Sequence, residues 1–355
     1  MIGNRISAAR ECLKRLDADL LLVLNLSNIR YLTGFTGSEA LLILSPEDGW
    51  FLTDSRYTSQ AGAEVTGAKV IEFSNRMDAL VELLRQRGAT RVAFEAGSTT
   101  VAFHQELRDK TPGIEYLPAD AELTGLRTVK DAGELEILER VAAIASESLL
   151  EIAARLKPGM VESEVAWMLE VAMRERGAEG KSFDFIVASG ERGALPHGRA
   201  SEKKLAAGEL VTIDYGAIYL GYCSDETVTV CLGEPDARQR EVYETVLAAQ
   251  RTAMDAVHPG MSFRDLDAKA RDYIAGKGFG EYFGHGLGHG VGIDIHEHPT
   301  ASPRSNQVIT EGMVFTIEPG IYIPGWGGVR IEDTVVVEQN GCRPITRVPK
   351  DLMII

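Results

Sequence analysis

The sequence predicts an α+β protein in two parts, a small α/β domain over residues 1–125 and a larger, internally duplicated domain over residues 126–355. Three observations predict it. The chain has 355 residues, more than one hydrophobic core usually serves. Its first third alternates short apolar runs with stretches of helical periodicity, whereas from Asp131 onward long amphipathic helices precede β-rich runs. Finally, Pro158-Gly159-Met160 recurs as Pro259-Gly260-Met261, at an offset of 101 residues.

In the first part, Ala18 to Leu24, Ala40 to Leu44, Trp50 to Thr53 and Arg91 to Glu95 have strand length and apolarity. Met77 to Arg87 and Val101 to Lys110 have helical length and period. The α/β pattern ends near Pro118, and a connecting segment runs to about Val129. In the second part, Asp131 to Lys157 reads as a long helix, with Asp131 as N-cap and Glu134 three residues on, as a capping box requires. The Pro158-Gly159 pair stops it. Arg238 to Val257 is the corresponding helix before the second Pro-Gly-Met. Each triplet is followed by a shorter helical pattern closing on a basic residue and glycine, Arg176-Gly177 and Lys277-Gly278. Two landmarks at one offset predict two helix–helix–sheet halves facing each other.

Composition narrows the function. With 45% hydrophobic and 25% charged residues, the chain has an ordinary globular make-up. A net charge of −15 argues against nucleic-acid binding, which needs clustered Lys and Arg. No run reaches the roughly 18 apolar residues of a membrane helix. Met1 to Arg10 lacks the apolar stretch of a secretory signal, so a cytoplasmic protein is expected. Cys12, Cys223, Cys231 and Cys342 show no CxxC spacing and are expected to be reduced structural thiols.

The chemistry lies in acidic residues on strands that should be apolar. Leu210 to Tyr219 and Tyr222 to Leu232 are β-rich runs joined at Leu220-Gly221. Asp214 shares a face with Thr212, and Asp225 with Thr227 and Thr229. In the second half, Met313 to Glu318 carries Glu318 on the face of Thr316. Val329 to Val337 carries Glu332 on the face of Arg330 and Thr334. If the halves pack sheet to sheet, four carboxylates converge. Such a group repels itself unless protonated or shared among cations, and four carboxylates need a divalent pair rather than one shared proton. Of seven histidines, His285, His289, His296 and His298 fall within fourteen residues, and His197 precedes the Asp-bearing runs. The stretch Gly284 to Gly290 is too glycine-rich for a helix interior and is expected as a loop or irregular strand approaching a ligand. An imidazole beside carboxylates shifts preference toward transition metals.

Asp214, Asp225, His289, Glu318 and Glu332, set in IDYGA, SDET, GHGLGHGVG, TIEPG and RIED, resemble the pita-bread metallopeptidases. HGLGHGVGIDIHEHP and GMVFTIEPGIYI are similar to aminopeptidase P and prolidase, the Xaa-Pro peptidases of that family. NIRYLTGFTGS and LTDSRY resemble the creatinase-type amino-terminal domain of the same enzymes. The resemblance runs from about residue 5 to the end. It implies a creatinase-type α/β domain followed by a pita-bread catalytic domain with an internal pseudo-twofold axis.

The resemblance also implies roles. Asp225 and Glu332 would bridge two divalent metal ions, Mn first with Co or Zn as alternatives. Asp214 would complete one ion, and His289 with Glu318 the other. Glu318 would shuttle a proton, and His197 and His296 would donate to developing negative charge. His285 and His298 are the expected substrate contacts. Glu297, Asp333 and Arg330 are expected to support the ligands. Substrates would be small peptides with proline second, and the enzyme a homodimer acting without nucleic acid or membrane. In several dipeptidases of the family an arginine after the HExP motif can hold the substrate's C-terminal carboxylate. Thr300 stands there in this chain, with Arg304 four residues on, which leaves longer peptides open. A methionine aminopeptidase, a creatinase and a non-catalytic peptide-binding module are the alternatives on this fold.

Overall fold

The computed structural model describes residues 2–355. The chain forms two compact units, Met1–Arg127 and Thr128–Ile355. No helix among the described residues is long and apolar enough to cross a membrane.

The first unit is a six-stranded sheet flanked by helices. In chain order its elements are α1 (Ile2–Leu16), β1 (Leu20–Val23), α2 (Leu26–Thr33), β2 (Leu41–Leu44), β3 (Gly49–Asp54), α3 (Thr58–Glu64), β4 (Lys69–Phe73), α4 (Arg76–Gln86), β5 (Arg91–Phe94), α5 (Val101–Lys110), β6 (Glu115–Pro118) and α6 (Asp120–Thr128). The strand order is β4-β3-β2-β1-β5-β6. All four residues of β1 and of β2 are buried, as expected of central strands covered on both faces. The two expected helices fall at α4 and α5. The segment expected to be a connection after Pro118 instead holds α6, whose start carries Asp120 and Glu122 in the first turn, favourable at the helix's positive end.

The second unit opens with α7 (Ala132–Ala153), where Asp131 and Glu134 form the expected capping box. The helix ends short of Lys157. Its last residues tighten into i→i−3 bonds, Arg155 N to Ile152 O at 2.9 Å and Leu156 N to Ala153 O at 3.2 Å, because Pro158 disfavours helical backbone just before it. The elements that follow are α8 (Glu162–Glu175), β7 (Gly180–Lys181), β8 (Ile186–Ser189), β9 (Leu210–Tyr215), β10 (Ala217–Tyr219), β11 (Tyr222–Cys223), β12 (Glu226–Cys231), α9 (Ala237–Ala256), α10 (Phe263–Gly276), β13 (Gly288–Gly290), β14 (Glu297–Ala301), β15 (Val314–Ile317), β16 (Gly320–Ile323), β17 (Gly327–Arg330), β18 (Asp333–Glu338), β19 (Gly341–Pro344) and β20 (Met353–Ile354).

The duplication is visible in the backbone. α8 and α10 begin and end at matching positions, and Gly159 and Gly260 both have φ of 93°. That left-handed value is one glycine adopts without a Cβ penalty. In the first half Gly159 N donates to Leu205 O and Leu205 N to Met160 O, both at 2.8 Å. In the second, Gly260 N donates to Ile309 O at 2.9 Å and Ile309 N to Met261 O at 2.8 Å. The halves carry the sheets β20-β12-β9-β8 and β14-β13-β15-β18-β19. Bonds cross between them: Thr229 Oγ1 donates to Arg330 O at 2.9 Å, and Glu332 N to Thr227 O at 3.1 Å.

Those crossing bonds alter the expected strands. The run Tyr222 to Leu232 breaks at Ser224-Asp225, and Val329 to Val337 breaks at Ile331-Glu332. Met313 to Glu318 is strand only from Val314 to Ile317. At these breaks the backbone leaves its own ladder to pair elsewhere: Cys223 N donates to Gly292 O at 2.7 Å, and Glu332 N reaches the opposite half.

Candidate metal centre

Asp214 is the one acidic candidate inside a strand, paired across the β9–β12 ladder with Thr227. Asp225, Glu318 and Glu332 occupy the residue just before or after a strand. A carboxylate at a break is carried by rigid β-structure while its backbone is free to turn toward the facing half. With Asp214 they line one cavity of about 580 Å³, together with His197, His285, His289 and His296. His298 is exposed and is not among its lining residues.

His289 is brought in by β13, which fits only because its neighbours lack side chains. A Cβ on Gly288 would lie 2.0 Å from Thr316 O, and one on Gly290 2.3 Å from His298 O. The ring faces Gly290 O through Nδ1 at 3.1 Å, which assigns the proton to Nδ1 and leaves Nε2 as a lone-pair donor. Nε2 lies 3.5 Å from Asp225 Oδ2 and 3.4 Å from Glu318 Oε1. Ligand atoms of Asp225, His289 and Glu332 all fall within 4.8 Å of one another.

Hydroxyls orient the carboxylates of Glu332 and Glu318 and the backbone of Asp225. Thr227 Oγ1 donates to Glu332 Oε2 at 2.6 Å, Thr316 Oγ1 to Glu318 Oε1 at 3.0 Å, and Thr334 Oγ1 to Asp225 O at 2.7 Å. Arg330 is the buried cation of the cluster. Its guanidinium donates to Asp214 Oδ2 at 2.5 Å, Tyr322 OH at 2.9 Å, Pro196 O at 3.1 Å and Thr227 Oγ1 at 3.2 Å.

One guanidinium does not balance four acids. Burial, reinforced by Glu332, Asp214 and Glu318, pushes the Asp225 carboxyl well above the ordinary range. Burial and the charges of Glu318 and Asp214 do the same to Glu332. Burial raises Glu318 to about 7, and it lowers His289, which keeps that ring neutral. Asp214 Oδ1 and Glu332 Oε1 are buried without any hydrogen-bond partner, a costly state for acceptor oxygens. Orphaned oxygens beside a neutral imidazole fit divalent cations.

Further residues hold this arrangement, and of these Glu162, Asp267, Glu226 and Lys350 were not singled out in the sequence. Glu162 is fully buried and accepts from Ser189 N at 2.8 Å and Ser201 Oγ at 2.6 Å, closing both ends of the loop that carries His197. Asp267 accepts from Leu287 N at 3.0 Å and is held by Arg271 at 2.7 Å, which fixes the approach to β13. Behind the site, Lys350 Nζ lies 2.5 Å from Glu226 and 3.2 Å from Asp333. These acids follow Asp225 and Glu332 in sequence and point away from the cavity, as strand alternation requires. Nothing in the sequence ties Lys350 to two acids far away in the chain. Glu297 pairs with Lys130 at 2.7 Å in a nearly dry setting, anchoring the segment after His296. His285 has both ring nitrogens engaged, Nδ1 with Gly286 O at 2.7 Å and Nε2 with Tyr322 OH at 2.9 Å.

The model for metallopeptidase family M24 matches residues 136–339, and that for the creatinase/prolidase N-terminal domain matches residues 5–129. The chain belongs to metallopeptidase family M24. Among its M24 relatives, the "Uncharacterized peptidase YqhT" of Bacillus subtilis is 43% identical over 352 residues, covering 99% of this chain and all of the relative. The structure of an Xaa-Pro dipeptidase from Bacillus anthracis superposes with a TM-score of 0.97 at 40% identity, over the full length of both chains. An X-Pro aminopeptidase from Thermotoga maritima gives a TM-score of 0.90 at 37% identity, covering 97% of this chain and all of that one. As an M24 enzyme the chain has the creatinase-type amino-terminal domain and pita-bread catalytic domain that its motifs predict, and family membership implies divalent metal ions at the acidic cluster.

Proposed function

We propose that this M24 enzyme hydrolyses the peptide bond between an N-terminal residue and a following proline, using two divalent ions, Mn first and Co or Zn as alternatives. The observation that carries the metal-dependent part is the convergence of Asp225, His289 and Glu332 beside two buried oxygens without partners. The proline part is supported by the Xaa-Pro peptidases that the chain resembles along its whole length.

In this reading Asp214, Asp225, His289, Glu318 and Glu332 would hold the two ions. Bound there, two such ions supply a water that ionises near neutral pH and Lewis acidity at the scissile carbonyl. Glu318, at the edge of the acidic cluster, would hold and return a proton during the reaction. His197 and His296 donate hydrogen bonds to the oxyanion from the cavity wall. Phe183, Ile186 and Pro196 give that wall an apolar part against which a pyrrolidine ring packs, offsetting the N–H contact that a tertiary amide lacks. His285 supports the wall through Tyr322. No cavity contact supports a substrate role for His298.

The proposal extends to a domain boundary near residues 125 and 126, a cytoplasmic setting and a homodimer. The break between compact units beside Arg127 supports the first, and sedimentation at twice the 38.6 kDa chain mass tests the last.

The decisive experiment restores EDTA-treated protein with Mn, Co or Zn and follows alanine release from Ala-Pro and Ala-Pro-Ala-Ala. Asp225→Asn is the inactive control. Release from Ala-Pro alone marks a dipeptidase, and release from the longer peptide marks an aminopeptidase. No release by protein shown to bind two ions refutes the Xaa-Pro reading.

A further inference from the structure

A peptide cut after its first residue presents a carboxylate to the cavity only if it is a dipeptide. A group that rewards that carboxylate therefore sets substrate length. Two arginines and no lysine line the cavity. Every guanidinium nitrogen of Arg330 is already committed to Asp214, Tyr322, Pro196 or Thr227. Arg199 is different. Its side chain is 78% exposed, and its ion pair is to Asp184 at 3.2 Å. Asp184 is also held by Lys181 at 2.7 Å, so the trio of Lys181, Asp184 and Arg199 carries one positive charge more than it neutralises. Exposed pairs of this kind are weak and exchange readily.

The backbone of Arg199 is fixed, while its side chain is exposed and held only by the pair with Asp184. It makes a β-bridge with Ile186, its N donates to His197 O at 2.9 Å, and its carbonyl accepts from Arg192 at 2.6 Å. The residue is therefore tied into the loop that Glu162 closes, two positions from His197 and level with the apolar wall at Ile186 and Pro196. The duplication adds an independent observation. Arg199-Ala200-Ser201 stands 101 residues before Thr300-Ala301-Ser302, the offset that relates Gly159 to Gly260. Arg199 and Thr300 both line the cavity. The two halves thus present equivalent positions to the same space, one cationic and one neutral.

We propose that Arg199 binds the free C-terminal carboxylate of a dipeptide whose proline ring lies on the adjacent apolar wall, and so determines the preference for dipeptides over longer chains. The inference rests on the Xaa-Pro reading above. A guanidinium matches a carboxylate with two parallel N–H donors, an arrangement an ammonium does not reproduce.

The test compares Ala-Pro with Ala-Pro-amide, which differs only in the carboxylate, on Mn-restored protein. Wild type is expected to favour Ala-Pro in kcat/KM by roughly tenfold or more. In Arg199→Ala that ratio falls to near one, through KM rather than kcat, and Arg199→Lys keeps part of it. Because the side chain is exposed, neither variant is expected to disturb folding, and an unchanged melting curve checks this. A ratio that is the same in wild type and Arg199→Ala overturns the proposal while leaving Xaa-Pro cleavage intact. If wild type cleaves neither compound, the peptidase reading fails by itself. Calorimetric titration of Ala-Pro and its amide into wild type and Arg199→Ala then decides the role of Arg199, with equal affinities overturning it.

Discussion

Thr227 Oγ1 donates to Glu332 Oε2 at 2.6 Å across the two halves of the catalytic domain. Its counterpart in the duplicated motif, Thr334, donates to the carbonyl of Asp225 at 2.7 Å. One half thus orients an acid of the other and is itself held at the backbone of Asp225, and neither half holds a finished site.

Removing that hydroxyl should weaken metal binding while leaving the fold in place. Thr227→Val keeps the shape of the side chain but deprives Glu332 of its donor and Arg330 Nε of an acceptor. We expect Mn affinity of the apo-protein to fall about 10–100-fold, measured by calorimetry. An unchanged affinity would show that the packing of Glu332 suffices.

The metal-free site is a concentration of buried acid, so lowering its charge should stabilise the empty protein. Asp225→Asn is expected to raise the Tm of the EDTA-treated chain by a few degrees. The same change should abolish the Tm increase that wild type shows on adding Mn and reduce alanine release to background. A lower Tm without metal would mean that the native state needs the Asp225 carboxylate for packing rather than for cation binding.

Burial drives the His285 imidazole down to about 4 from an ordinary 6.5. The folded chain therefore keeps the ring neutral where the unfolded chain protonates it. The contribution is present in full above pH 6.5 and is lost as pH falls toward 4, an effect of about 3 kcal/mol from this one group. Urea midpoints measured across that window should decline more steeply in wild type than in His285→Gln. Parallel curves would assign the acid sensitivity to other groups.

Lys350 is nearly buried between Glu226 and Asp333. Lys350→Met leaves two buried acids facing each other and should cost about 3–5 kcal/mol in a urea melt. Combining it with Glu226→Gln and Asp333→Asn should recover most of that loss, since the cost lies in unpaired charge. If the triple variant is no more stable than Lys350→Met, the packing of the lysine stem is what matters.

Much of this protein is determined locally and so was legible in the sequence. The capping box at Asp131 and Glu134, the Pro-Gly stops, and the apolar runs of β1 and β2 all act within a few residues of themselves. The repeat at 101 residues was readable because duplicated helices keep their stop signals. The acidic residues stood out because a carboxylate in a β-rich run conflicts with burial unless something else holds it.

The tertiary structure decided the rest. The strand breaks at Asp225, Glu318 and Glu332 arise because backbone there pairs with distant segments, which no local pattern encodes. Glu162, Asp267 and Lys350 look like ordinary surface charges in the sequence, and they become supports only when loops close over Glu162 and Asp267 within their own halves and acids from both halves meet at Lys350. Of the five histidines the sequence singled out, His197, His285, His289 and His296 reach the cavity and His298 does not, since His296 lies in the bend before β14 and His298 inside that strand. The sequence by itself determined which groups could bind metal and cut a peptide. Packing of one half on the other decided which of them meet, because the ligands come from strands far apart in the chain and are brought together only by tertiary contacts.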